Sequence, residues 1–297
     1  MREADGSAAA APPLLVFAHA NSFPADSYRV LLDLLAEHFE VVAPPMLGHA
    51  PGLPVSDCWP HLLRELQDYV QQRRGSRQVV LVGHSLGGLL GLMLAARQPP
   101  WLRALVLLDA PVIAGWRAWL LWVGKRSGLV WRTPPAAAAA RRRQAWTDVD
   151  AVQAHFGAKA PFGAWDARML ADYARDATVE RDGRRVLRFA REVEAAIYAT
   201  LPHHLGRLCR RVRLPVAFVG GTRSRELRQA GMRATRRLVG QRLRWIAGGS
   251  HLFPFEQPQA TAQAIVELLR DMGVPDDAPG GRRSLPIMPI SRSDTAS

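Results

Sequence analysis

Residues 78–98 read QVVLVGHSLGGLLGLMLAARQ, and the fold turns on this stretch. Its first part, Gln78 to Gly83, is an apolar run of strand length. Its last part, Gly87 to Gln98, is an apolar segment long enough for a helix. Between them, Gly83-His84-Ser85-Leu86-Gly87 matches G-x-S-x-G. Alone the pattern is weak, because glycine and serine are common. Set between a buried strand and a helix, it describes a sharp turn that strains the serine backbone and needs small neighbours, here Gly83 and Gly87. Such a turn exposes the Ser85 hydroxyl near a helix N-terminus, which favours developing negative charge. The competing reading is a plain glycine-rich turn, and the flanking strand and helix weigh against it.

Outward from this segment, short apolar runs alternate with helical patterns, which predicts βα units and a mostly parallel sheet. Strands are expected at Leu14–Ala18, Phe39–Ala43, Ala104–Asp109, Pro215–Gly220 and Leu243–Ala247. Helices are expected over Ser27–His38, Trp59–Arg73 and about Pro258–Met272. From about Gly115 to Arg211 no strand run stands out, and the composition is helical. A structureless loop of that length is implausible, so a small helical subdomain is expected there. The division is then a core over 13–114, a helical cap over 115–211, the rest of the core over 212–272, and a disordered tail over 273–297.

Composition bounds the function. The chain has 297 residues, two cysteines and a formal charge of +13. Cys58 and Cys209 form no disulfide framework and lack metal-ligand spacing, which fits a reducing cytoplasm. No secretory leader pattern opens the sequence, and no uncharged apolar stretch reaches bilayer-spanning length. The basic residues are scattered without a nucleic-acid motif, so no nucleic acid partner is expected. The compact run Arg141-Arg142-Arg143 is expected on a solvated helix face.

The elbow GHSLGG resembles that of the α/β-hydrolase superfamily, and three other segments match in order over about residues 14 to 272. His19-Ala20-Asn21, after the first strand, is similar to that family's His-Gly oxyanion turn, with Ala20 in place of the usual glycine. Gly248-Gly249-Ser250-His251, after the last strand, is similar to its catalytic-histidine loop. The segment after Asp109 lies where the family inserts a cap. The Leu14 strand resembles the family's third, so its first two strands are expected to be missing. The resemblance implies Ser85 as nucleophile and His251 as general base. It also implies an oxyanion hole from the backbone N–H groups of Leu86 and Asn21, with Ala20 the other choice for the second donor. His84 is expected to pack beside the turn, and His203-His204 lacks a third ligand partner for a metal.

The triad acid stays open. The loop after VAFVG, where the family usually keeps it, reads Gly221-Thr222-Arg223-Ser224-Arg225-Glu226 and has no aspartate. Asp109, at the end of LVLLD, is the preferred acid, with Glu226 the alternative. In the insertion, Trp116, Trp119 and Trp122 lie near one helix face, and Trp131, Trp146, Phe156, Phe162 and Trp165 follow. Three readings compete: an apolar lid with Trp116 and Trp119 lining a substrate pocket, a membrane-docking face beside Lys125 and Arg126, and packing of the subdomain core.

The expected function is hydrolysis of an ester, thioester or amide of a small, apolar substrate through an acyl-Ser85 intermediate, with no cofactor and no metal. The alternatives are a carbon–carbon bond hydrolase or cofactor-free haloperoxidase on the same triad, and a non-catalytic binding protein of the same fold. A halide-releasing enzyme is disfavoured, because those relatives carry aspartate where Ser85 stands.

Overall fold

A computed structural model describes residues 12–275. The tail expected from Gly273 onward lies, beyond Pro275, outside the described residues. Six strands form one parallel sheet: β1 (Leu14–Ala18), β2 (Val41–Val42), β3 (Val79–His84), β4 (Leu102–Leu108), β8 (Val216–Gly221) and β9 (Leu243–Ile246). Their order is β2-β1-β3-β4-β8-β9. All pairs are parallel, so each link must cross over a face, and helices cover both sides. This accounts for central strands that are apolar without alternation. Every residue of β1 and β3 is buried. Helix α3 (Leu86–Ala95) is likewise buried on all sides, as its apolar sequence LGGLLGLMLA requires.

Helices α1 (Arg29–Ala36) and α2 (Pro60–Arg74) link the first strands. After β8 come α11 (Arg225–Ala230) and α12 (Arg233–Val239); after β9 come α13 (Phe253–Glu256) and α14 (Pro258–Asp271). Apolar side chains of α1 and α14 join those of the sheet in one core cluster, and α2 and α3 contribute to the other.

Between β4 and β8 the chain leaves the sheet. It forms α4 (Trp116–Arg126), α5 (Leu129–Arg132), α6 (Ala136–Ala140), α7 (Val149–Gly157), α8 (Ala167–Asp176), α9 (Arg191–Ala199) and α10 (Leu205–Leu208). The expectation of helix alone is corrected here. The segment also holds a three-stranded antiparallel sheet, β5 (Ala145–Trp146), β6 (Thr178–Arg181) and β7 (Arg184–Leu187). The β6–β7 hairpin turns on Asp182-Gly183, both at positive φ (50° and 68°), the geometry that selects Asp-Gly.

The aromatic residues of the insertion divide in two. Trp146, Phe156 and Trp165 are buried, and Trp165 stacks on Phe255 at 4.1 Å and 8°. Phe23, in the turn after β1, contacts Phe162, Trp165, Tyr173 and Phe255. One aromatic cluster thus fastens the insertion to the turn after β1 and to α13 after β9. Trp116, Trp119, Trp122 and Trp131 instead stand exposed, so the core-packing reading fails for them. The arginine run is also corrected. It lies past the end of α6, and Arg142 turns inward to pair with Glu194 at 2.9 Å and donate to Tyr173 Oη at 2.5 Å.

Candidate active site

Ser85 stands at the turn between β3 and α3 with φ 50° and ψ −109°. A non-glycine residue reaches that region only where its surroundings over-determine it. Here the Ser85 N–H donates to Leu108 O (2.9 Å), and Ser85 O accepts from Leu89 N (3.0 Å). The motif's glycines are required by close approach. A Cβ on Gly83 would lie 2.4 Å from Gly87 C, and one on Gly87 would lie 2.0 Å from Ala18 O. Any side chain at Gly87 would force α3 away from β1 and unmake the turn.

His251 follows β9 and meets the elbow. Its Nε2 lies 3.1 Å from Ser85 Oγ, and its Nδ1 lies 2.7 Å from Asp109 Oδ2. Asp109 sits just past β4 at φ 42° and is completely buried. Besides His251, its carboxylate accepts from Gly221 N (Oδ1, 3.0 Å) and Ser224 Oγ (Oδ2, 2.6 Å). Glu226 is 47% exposed, and its nearest oxygen is 3.9 Å from His251 Nδ1, beyond hydrogen-bond reach. Of the two candidate acids, only Asp109 is hydrogen-bonded to His251. With Asp109 accepting at Nδ1, the proton belongs there and Nε2 presents its lone pair to Ser85. Burial, the largest influence, lowers the His251 pKa. The hydrogen bond and charge of Asp109, with the charge of Glu226, outweigh it, so the value rises above the usual 6.5.

His84, expected only to pack beside the turn, links two site loops. Its Nε2–H donates to His251 O (2.9 Å), and its Nδ1 accepts from Tyr28 Oη (2.8 Å), which in turn accepts from Ala20 N (3.2 Å). Burial holds the His84 pKa well below the ordinary value, so the ring is neutral, as that chain requires. His19 is similarly held down, to about 4, first by burial, and its Nε2 accepts from Leu47 N at 2.7 Å. The sequence signal for His84 is its place as the first x of G-x-S-x-G, next to the nucleophile. Ser224 was visible only as a member of the loop that lacked an aspartate.

The turn after β1 places its donors unequally. The Ala20 N–H is already bonded to Tyr28, whereas no hydrogen bond among the described residues uses the Asn21 or Leu86 backbone N–H. The Asn21 side chain donates to Glu194 O in α9 (3.1 Å), tying this turn to the insertion.

Trp116 and Trp119, expected in a substrate pocket, are 62% and 60% exposed and face solvent. A second correction concerns His203. Partners for it do converge, since Asp57, Cys58 and His203 offer ligand atoms within 4.8 Å of one another. The Lys125 ammonium fills the gap among them. It pairs with Asp57 and lies 3.2 Å from His203 Nδ1, 3.4 Å from Cys58 Sγ and 3.0 Å from Leu201 O. The group is thus a partly buried lysine clamp holding α4 to the body of the protein.

Comparison with known proteins identifies the family and the fold. The profile of the alpha/beta hydrolase family matches residues 15–264. Lipase LipV of Mycobacterium tuberculosis is 34% identical over 125 residues, 39% of this chain and 46% of that protein, so the match spans about half its length. Among solved structures, E-2-(acetamidomethylene)succinate hydrolase superposes with a TM-score of 0.67 at 22% identity, covering 88% of this chain and 92% of that one. The peroxisomal alpha-beta-hydrolase Lpx1 from Saccharomyces cerevisiae superposes with a TM-score of 0.69 at 17% identity, covering 94% and 83%.

Proposed function

Since this chain belongs to the α/β-hydrolase family, we propose that it is a serine hydrolase cleaving an ester, thioester or amide of a small, apolar substrate through an acyl-Ser85 intermediate. The observation that carries the reading is the continuous relay from Asp109 Oδ2 through His251 to Ser85 Oγ, at 2.7 and 3.1 Å.

In this reading His251 Nε2 takes the hydroxyl proton as Ser85 Oγ attacks the carbonyl carbon. Asp109 fixes the imidazole tautomer and stabilises the imidazolium that forms. The carbonyl oxygen becomes an oxyanion, held by the Leu86 and Asn21 N–H groups. Collapse of the tetrahedral intermediate expels the leaving group, which takes the proton from His251. Water, activated by the same imidazole, then frees the acid and restores Ser85. The segment 115–211 serves as a cap, fastened over the site by the Phe23 cluster and the Asn21–Glu194 bond.

Acid quench during turnover of p-nitrophenyl butyrate tests the acyl-enzyme. One butyryl group is expected on the peptide that contains Ser85. Turnover with no acylated peptide at any time would point to direct attack by water. The pH profile gives a second test. Protonated His251 cannot accept the serine proton, so kcat/KM should fall as pH drops, with its midpoint above 6.5. Asp109→Asn removes the two larger influences that raise this pKa and leaves burial opposed by the Glu226 charge alone, so in that variant the midpoint should move to lower pH. An unmoved midpoint would count against the His251–Asp109 pair.

A further inference from the structure

The exposed indoles of the insertion carry an inference independent of the hydrolytic reading. Trp116, Trp119, Leu120 and Trp122 on α4 and Leu129 and Trp131 on and beside it in α5 are all exposed, from 41% to 62%. No residue of α4 is buried. Successive residues of a helix turn by about 100°, so Trp116, Trp119 and Leu120 share one face and Lys125 lies opposite them. The Lys125 clamp to Asp57, Leu201 and His203 therefore holds the helix with its aromatic face outward. Such a cluster of exposed apolar side chains marks an interaction site.

Charge selects the partner. Between Asp109 and Asp148 the sequence contains seven Lys or Arg and no carboxylate. Arg117 stacks on the Trp116 ring at 4.4 Å and Arg126 lies over Trp122 at 5.9 Å, so cations sit at the level of the indoles. A cleft of about 660 Å³ opens beside Gly115 and Ala118 of the same helix, and its lining includes Arg207, Arg210 and Arg237 with no carboxylate. Tryptophan combined with arginine is the composition suited to the boundary between lipid headgroups and acyl chains. A two-fold contact with a second copy would set two such cationic faces against each other. A single nucleic acid strand would need a groove along which bases stack, whereas α4 presents a convex face.

We propose that the α4–α5 face docks this protein on an anionic phospholipid surface, with its tryptophans at headgroup depth and its arginines on the phosphates. The test is co-sedimentation of the full chain with phosphatidylcholine vesicles with and without phosphatidylglycerol, read together with tryptophan emission. Binding to the anionic vesicles should be at least about tenfold tighter and bring a blue shift. Arg126→Glu with Arg132→Glu should weaken it by about fivefold or more per position. Trp119→Ala with Trp131→Ala should weaken it about tenfold, with the circular dichroism of the wild type. Equal binding to both vesicle types, or no binding to either, overturns the proposal. So does binding of an oligonucleotide in place of vesicles, or a micromolar dimer that the tryptophan variants dissociate. Should the tryptophan variants not fold, the wild-type comparison and the charge reversals still decide the question.

Discussion

Replacing His251 by alanine is expected to lower kcat for a p-nitrophenyl ester by about 10⁴-fold or more. A serine hydroxyl is a weak nucleophile until a base removes its proton, and among the described residues one imidazole nitrogen is hydrogen-bonded to Ser85 Oγ, His251 Nε2 at 3.1 Å. The neighbouring His84 cannot substitute. Both its nitrogens are engaged, with Tyr28 and with the His251 carbonyl, and burial keeps its ring neutral. Ser85→Ala should cost a similar factor, and the double variant little more than either single one, because the pair acts as a unit. Steady-state kinetics on purified variants measures this. A loss under about tenfold for His251→Ala would assign the base elsewhere.

Asp109→Asn should lower kcat by roughly 10² to 10⁴-fold with the fold intact, and Glu226→Gln by far less. The amide can keep the Gly221 bond, but its NH₂ would face Nδ1 and favour the tautomer whose proton lies on Nε2, toward Ser85. That histidine cannot accept the serine proton. Glu226 acts on His251 only through charge, from 3.9 Å and half in solvent, where screening leaves little. The two variants, each checked by circular dichroism, separate the carboxylates. A larger loss for Glu226→Gln would reverse their assignment.

The sheet was legible wherever burial on both faces imposes a continuous apolar run, as in VVLVG and LVLLD. The elbow could be read because its glycines answer to contacts under 3 Å, which leave evolution no other residue type. The acid could be narrowed to two residues but not chosen, since the choice lies in the 1.2 Å between a hydrogen bond and a miss. That difference follows from where β4 and β8 end, a tertiary fact. The small sheet in the insertion was missed because charged side chains mask its alternation, although Asp182-Gly183 carried the hairpin signal. Trp116 and Trp119 were misplaced for the reverse reason. Helical spacing shows that the indoles share a face; it does not show which way the face points, and the Lys125 clamp decides that through residues distant in sequence.

The most direct test of Ser85 as nucleophile is labelling of the purified wild-type chain with a fluorophosphonate probe, followed by peptide mapping of the modified residue. The probe's phosphorus takes the place of the substrate carbonyl and is captured by an activated serine. The account predicts a single adduct on the peptide carrying Gly83-His84-Ser85, absent from Ser85→Ala and greatly slowed in His251→Ala. An adduct on another serine, or none under conditions in which the protein turns over esters, would contradict it.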